Sequence, residues 1–105
     1  MLIIGREIGQ SVIINDEMKV TVEQKNAKLH LVIDAPKDIS ITRVKQTPMN
    51  MRKKTRIIGD TIQIGSSIQV SILQTDSGLI RLAIDAPKEI SVYREEIYQR
   101  KETKL

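Results

Sequence analysis

The chain of 105 residues has no cysteine, tryptophan or phenylalanine, a single histidine, and only two tyrosines. Each shortage excludes something. Without cysteine there is neither a disulfide framework nor a thiolate zinc site. His30, the lone histidine, sits mid-strand opposite Leu29 and Leu31 in an alternating run and reads as a sheet-face residue. No Ser/His/Asp or Cys/His set can be assembled around it. The glycine-rich phosphate loops are also missing, with neither a Walker pattern nor G-x-G-x-x-G. Acidic residues are scattered apart from Asp16-Glu17 and Glu95-Glu96. Neither catalysis nor a cofactor or metal is expected. The scarcity of aromatic rings further removes the platforms on which common single-strand modules stack bases. No apolar run is long enough to span a membrane. Met1-Leu2-Ile3-Ile4 lacks the basic start and long apolar stretch of a signal peptide, so a cytoplasmic protein is the expectation.

What is present is a β-favouring palette. Hydrophobic residues make up 40% of the chain, enough for a core, and that core must be built from Ile, Val and Leu. The length corresponds to one ordinary domain. Net charge is +4, unevenly divided: residues 1–50 hold seven Lys/Arg against six Asp/Glu (+1), residues 51–105 ten against seven (+3). This balance permits a polyanionic partner without demanding one.

The organising feature is a duplication. Asp34-Ala35-Pro36-Lys37-Asp38-Ile39-Ser40-Ile41-Thr42-Arg43 returns as Asp85-Ala86-Pro87-Lys88-Glu89-Ile90-Ser91-Val92-Tyr93-Arg94. Upstream, Met1 falls on Met51, Arg6 on Arg56, Ile8-Gly9 on Ile58-Gly59, Ile14 on Ile64 and Val20 on Val70. Solenoids need at least three copies; two copies suggest a dimer whose subunits have been joined. A unit of about fifty residues buries too little surface to stand alone, so the copies are expected to share one core. The boundaries read as 1–44 for the first repeat, 45–50 for a linker and 51–105 for the second repeat, together one intertwined domain.

Each copy reads as five strands. In the first they are Leu2–Glu7, Ser11–Ile14, Met18–Gln24, Leu29–Ile33 and Ile39–Val44, with turns at Ile8-Gly9, Asn15-Asp16 and Lys25-Asn26-Ala27. In the second they lie near 52–57, 61–64, 67–74, 79–85 and 90–93, with turns at Gly59-Asp60, Gly65-Ser66 and Asp76-Ser77-Gly78. Proline fixes its own φ and pushes its predecessor toward extended geometry, which makes each Ala-Pro pair a turn. Two asymmetries stand out. A helix over about 94–103, where Ile97 and Tyr98 share a face, has no counterpart after Arg43; there Pro48 discourages helix. The second copy also opens with Arg52-Lys53-Lys54 where the first has Leu2-Ile3-Ile4, a basic cluster that suits either a lysine-protected edge strand or phosphate contacts. If RNA is bound, it must be held by backbone groups, arginines and aliphatic side chains at a strand edge. Arg43 and Arg94, at equivalent ends of the fifth strands, are the candidates, with structural ion pairs as the alternative.

Each half resembles the carbon storage regulator (CsrA/RsmA) family of bacterial RNA-binding proteins. The matching residues are Met1-Leu2-Ile3-Ile4…Arg6…Gly9, Asn15-Asp16-Glu17, Val20-Thr21-Val22 and Ala35-Pro36-Lys37…Ser40…Arg43, and then Ala86-Pro87-Lys88-Glu89-Ile90-Ser91-Val92-Tyr93-Arg94-Glu95-Glu96-Ile97-Tyr98. The resemblance implies a mainly β protein: two five-stranded repeats interleaved into one pseudo-symmetric β-sandwich or barrel with a short C-terminal helix. The family is a homodimer in which the first strand of one subunit lies beside the fifth strand of the other. Each such edge binds RNA carrying GGA, often in a hairpin loop overlapping a ribosome-binding site. Two unlike sites are implied here. One combines Leu2, Ile3, Ile4 and Arg6 with Val92, Tyr93 and Arg94; the other combines Lys53, Lys54, Thr55 and Arg56 with Ile41, Thr42 and Arg43. Lys37 and Lys88 of the two Ala-Pro-Lys turns complete the candidate set.

The implied function is repression of translation or altered mRNA stability, with mRNA leaders, small antagonist RNAs and a protein antagonist as partners and no membrane. Against the family pattern, each copy has lost the second arginine of Thr-Arg-Arg, and Glu7 would repel a phosphate. The first copy ends in Val44-Lys45 where the family has Glu-Glu. The site ending at Arg94 is therefore expected to be the stronger. The alternatives are a protein-interaction scaffold with decayed RNA sites and, more weakly, a swapped-strand DNA binder. If the fifth strand of copy one and the first of copy two are parallel neighbours, residues 45–51 reach roughly 23 Å against about 17 Å for a strand. Such a tight hinge predicts a monomeric pseudo-dimer with some strand-swapped dimer.

Overall fold

The computed structural model describes residues 2–44, 55–75 and 77–102. The strands are β1 (Leu2–Gly5), β2 (Ser11–Ile14), β3 (Met18–Lys25), β4 (Lys28–Asp34), β5 (Ile41–Val44), β6 (Thr55–Ile64), β7 (Ile68–Thr75), β8 (Ile80–Asp85) and β9 (Val92–Arg94), followed by helix α1 (Glu95–Glu102). Two antiparallel sheets form, ordered β1-β8-β7-β6-β5 and β4-β3-β2-β9. The repeats interleave: the first sheet has outer strands from the N-terminal half around three from the C-terminal half. The second adds β9 to three strands of the N-terminal half.

Registers repeat across the pseudo-symmetric pair. Val12 lies opposite Arg94 and Ile14 opposite Val92; their counterparts Ile62 and Ile64 lie opposite Arg43 and Ile41. Both Ala-Pro turns close alike, with Ile39 N donating to Pro36 O at 3.1 Å and Ile90 N to Pro87 O at 3.0 Å. Each turn then ties to the other repeat, as Gly65 N donates to Ser40 O at 2.7 Å and Asn15 N to Ser91 O at 2.8 Å.

Alternation along the strands decides what is buried. Met18, Val20 and Val22 of β3 and Ile68, Val70 and Ile72 of β7 enter one core cluster with Ile4, Val12, Ile14, Leu31, Ile62, Ile64, Leu82 and Ile84. Burying each such aliphatic side chain contributes about 1.5–3 kcal/mol, and neither repeat has a core of its own among these residues.

One expectation fails instructively. Gly59-Asp60 does not separate two strands; both residues lie within β6, which is continuous with a register shift between Ile58 and Ile62. The cause lies in the cross-strand partners. Ile57 pairs with Leu73 and Ile58 with Ile72, an apolar pairing that zips this end of β6 onto β7. The repeat counterparts of Ile57 and Leu73 are Glu7 and Glu23, and two carboxylates directly opposite would repel. The first repeat instead breaks after Gly5, and β1 pairs with β8. Observed ends are also shorter than expected at β1, β5 and β9. β5 meets β6 antiparallel, Ile41 to Val44 against Ile64 to Thr61; most of the opening strand expected near 52–57 lies outside the described residues. The linker and Lys53-Lys54 lie outside the described residues.

Candidate nucleic-acid interface

The interleaving puts two sheet edges together at each end of the pseudo-symmetric pair. At the first rim, β1 and β9 are the edges of different sheets. Leu2, Lys88 and Val92 line one groove there, and Gly5, Arg6, Arg81 and Arg94 line another. Leu2 and Ile3 are about half exposed, whereas Ile4 at 8% belongs to the core and offers the rim only its backbone. Lys88 and Arg94 are exposed, Val92 and Tyr93 partly buried. Of the first set of sequence-derived residues, Leu2 and Val92 thus share one groove and Arg6 and Arg94 the other; among the described residues none accepts a hydrogen bond from the exposed Arg94 guanidinium.

Arg6 behaves differently from Arg94. It is only 7% exposed: Arg6 follows β1, with its N donating to Ile80 O at 3.1 Å, and its side chain reaches the start of β2. Its Nη1 and Nη2 donate to Glu96 Oε1 and Oε2, both at 2.9 Å, and Nη1 also donates to Ser11 O at 3.2 Å. The Arg6 hydrogen bonds, with a backbone N–H at the helix start, hold the Glu96 carboxyl down to about 2, and the same pairing pushes the guanidinium pKa up. Beside it Lys19 Nζ meets Glu95 Oε2 at 2.5 Å; the Glu95 hydrogen bond raises the lysine pKa. Tyr98 Oη donates to Asp16 O at 3.3 Å, and the Tyr93 and Tyr98 rings lie 6.2 Å apart at 45°. Arg6, Lys19 and Asp16 thus hold the start of helix α1, whose Ile97 is 44% exposed.

The second rim is built from β5 and β4. Ile41, Thr42 and Arg43 are exposed, and so is Lys37 in the preceding turn. Arg43 Nη2 donates to Leu31 O at 3.1 Å, on the strand that edges the four-stranded sheet among the described residues. The counterpart of Leu31 is Leu82, which lies opposite Ile4 of β1. At the first rim a strand runs beside this position; at the second, among the described residues, an arginine reaches it. Arg43 lines a groove with Lys25 and His30. Thr55 and Arg56 run along Thr75 and Gln74 of β7, away from the Thr61–Ile64 end of β6 that β5 joins.

Two features of the site escaped the sequence reading. Glu96 as the partner of Arg6 is separated from it by 90 positions, and the signal available was the Glu-Glu pair at the helix start beside Lys45 in the other repeat. The Ser11–Thr21 hydroxyl pair, at 2.6 Å, recurs as Thr61–Ser71 at 2.9 Å; a swap of residue types at matched positions was the signal. Among the described residues no cluster of three or more His, Cys, Asp or Glu could hold a metal, and no helix is long and apolar enough to cross a membrane.

These features define a class: a fused pair of interleaved β repeats presenting paired strand edges lined by exposed arginines. The description "CsrA: Global regulator protein family" belongs to the family model that matches residues 1–45 and again residues 53–103. The chain therefore belongs to the CsrA family, whose members are RNA-binding post-transcriptional regulators, and carries its unit twice. No solved structure matches it.

Proposed function

We propose that this chain regulates gene expression by binding GGA-containing hairpin loops in mRNA leaders, repressing translation or altering mRNA stability. The observation that carries this reading is the first rim, where exposed Arg94 and Lys88 flank the exposed edge residues Leu2 and Ile3. Arginine supplies the fork that grips phosphate or a guanine edge, and an open strand edge supplies backbone donors and acceptors to unpaired bases. Binding needs no catalytic group. Small antagonist RNAs with repeated GGA loops and a protein antagonist are the partners this reading implies. The working form is a monomeric pseudo-dimer in the cytoplasm.

The test compares a GGA hairpin with the same hairpin carrying a scrambled loop. Tighter binding of the first, with a steep salt dependence, is expected; equal binding refutes the reading. Light scattering that shows only larger species refutes the monomer. A second reading, a scaffold whose second rim no longer serves RNA, is favoured by the Arg43–Leu31 hydrogen bond. A flat salt dependence would support it.

A further inference from the structure

Arg6 spends both prongs of its guanidinium on Glu96 while lining the same groove as Arg94. We propose that Arg6 is a latent phosphate-binding residue kept occupied by Glu96, which acts as an internal mimic of phosphate and caps RNA affinity at the first rim. The inference rests on the RNA-binding reading above.

Four observations support it. A carboxylate and a phosphate each present a pair of oxygens that matches the guanidinium fork, so a ligand able to displace one is the other. The side chains differ in exposure, 5% for Arg6 and 52% for Glu96, so the carboxylate is the partner facing solvent. An incoming phosphate can exchange with it without disturbing the core. The helix that carries Glu96 is fastened by charged contacts and Tyr98 rather than by deep burial, so the exchange leaves its remaining fastenings intact. The other repeat has no carboxylate at this position, the counterpart of Glu96 being Lys45.

Glu96 competes effectively because it is tethered. A group held at the start of α1 has a high effective concentration at Arg6, whereas phosphate must arrive from solution. Glu96 also places a negative charge next to Arg94, which adds to the depression of the Glu96 pKa, and so weakens the field that an RNA backbone meets. Removing the carboxylate therefore acts twice, freeing a nearly buried cation and restoring positive potential in the groove.

The test measures GGA-hairpin binding by the full chain across a salt series for Glu96→Gln. Binding about fivefold tighter near 0.1 M salt is expected, with the log–log salt slope steeper by roughly 0.7 for one added single-strand phosphate contact. Glu95→Gln removes the same charge one residue earlier, from Lys19 rather than Arg6, and leaves the slope unchanged. In an Arg6→Gln background Glu96→Gln gives no gain. Should Glu96→Gln lose the helix by circular dichroism, Glu96→Asp carries the test, since it keeps the helix-favouring charge but shortens the reach and still gives a gain. Weaker or unchanged binding by the folded variant, or an equal gain from Glu95→Gln, overturns the proposal. If the wild-type chain binds neither the GGA hairpin nor its scrambled version, the RNA reading itself fails first.

Discussion

Ser11 Oγ lies 2.6 Å from Thr21 Oγ1, and the second repeat holds the same contact with the two residue types exchanged, Thr61 against Ser71. Each pair joins the second and third strands of its repeat. Ser11 is 2% exposed and Thr61 8%, so each hydroxyl depends on its partner. Ser11→Ala is expected to cost about 1–2 kcal/mol by leaving Thr21 short of a partner. Ser11→Ala with Thr21→Val should cost less than the sum of the single changes. Urea denaturation of the three variants measures the coupling.

The two rims differ in their open arginine. Arg94→Ala is expected to weaken GGA-hairpin binding about tenfold, in line with the loss of a charge-assisted contact. Arg43→Ala is expected to weaken it less, because Arg43 already donates to Leu31 O. Gel shifts settle the ranking, and equal losses would refute it.

Acid should loosen the helix. The Glu96 carboxyl titrates at about 2 in the folded chain against an ordinary 4.5. A depressed folded pKa means that the pairing stabilises fully above pH 4.5, and that this contribution fades as pH falls toward 2. Arg6 faces the carboxylate from just after β1 and Arg94 from β9, and both favour its charged form. Helix signal by circular dichroism is expected to fall across that window, and Glu96→Gln should remove this part of the pH dependence.

The Asn26-Ala27 turn contains an unusual choice. Both residues have positive φ, 52° and 64°, and the β-carbon of alanine is strained there by about 1–2 kcal/mol. Ala27→Gly relieves that strain at the cost of extra freedom in the unfolded chain. A net gain of about 0.5 kcal/mol is expected, read as a rise in melting temperature.

Because a single cluster joins Val12, Ile14, Ile62 and Ile64 with Leu31 and Leu82, the halves should unfold together. Leu82→Ala is expected to cost about 3 kcal/mol and to shift one transition rather than split it. A calorimetric scan with two resolved transitions would contradict the shared core.

Much of this architecture can be read from residue order. Strict alternation in Met18–Gln24 and Ser67–Leu73 marks the strands that carry the core, and the repeated Ala-Pro-Lys phrase marks the duplication. The continuity of β6 was hidden because Ile58-Gly59-Asp60 looks like a turn when read locally. The partner that extends the strand is Leu73, which becomes relevant only once β7 lies alongside. The site shows the same limit. Arg94 is legible from its place after the fifth strand, whereas the occupation of Arg6 and Arg43 depends on acceptors 90 and 12 positions away. Periodicity speaks for one strand at a time, and long-range partners decide whether a charged side chain is spent or available.

The asymmetry between Glu95-Glu96 and Val44-Lys45 has a consequence for heredity. In an assembly of identical subunits, any altered codon appears at both binding edges, so an improvement at one is imposed on the other. Here each edge is spelled separately, and selection can tune, silence or repurpose one while leaving its mate untouched.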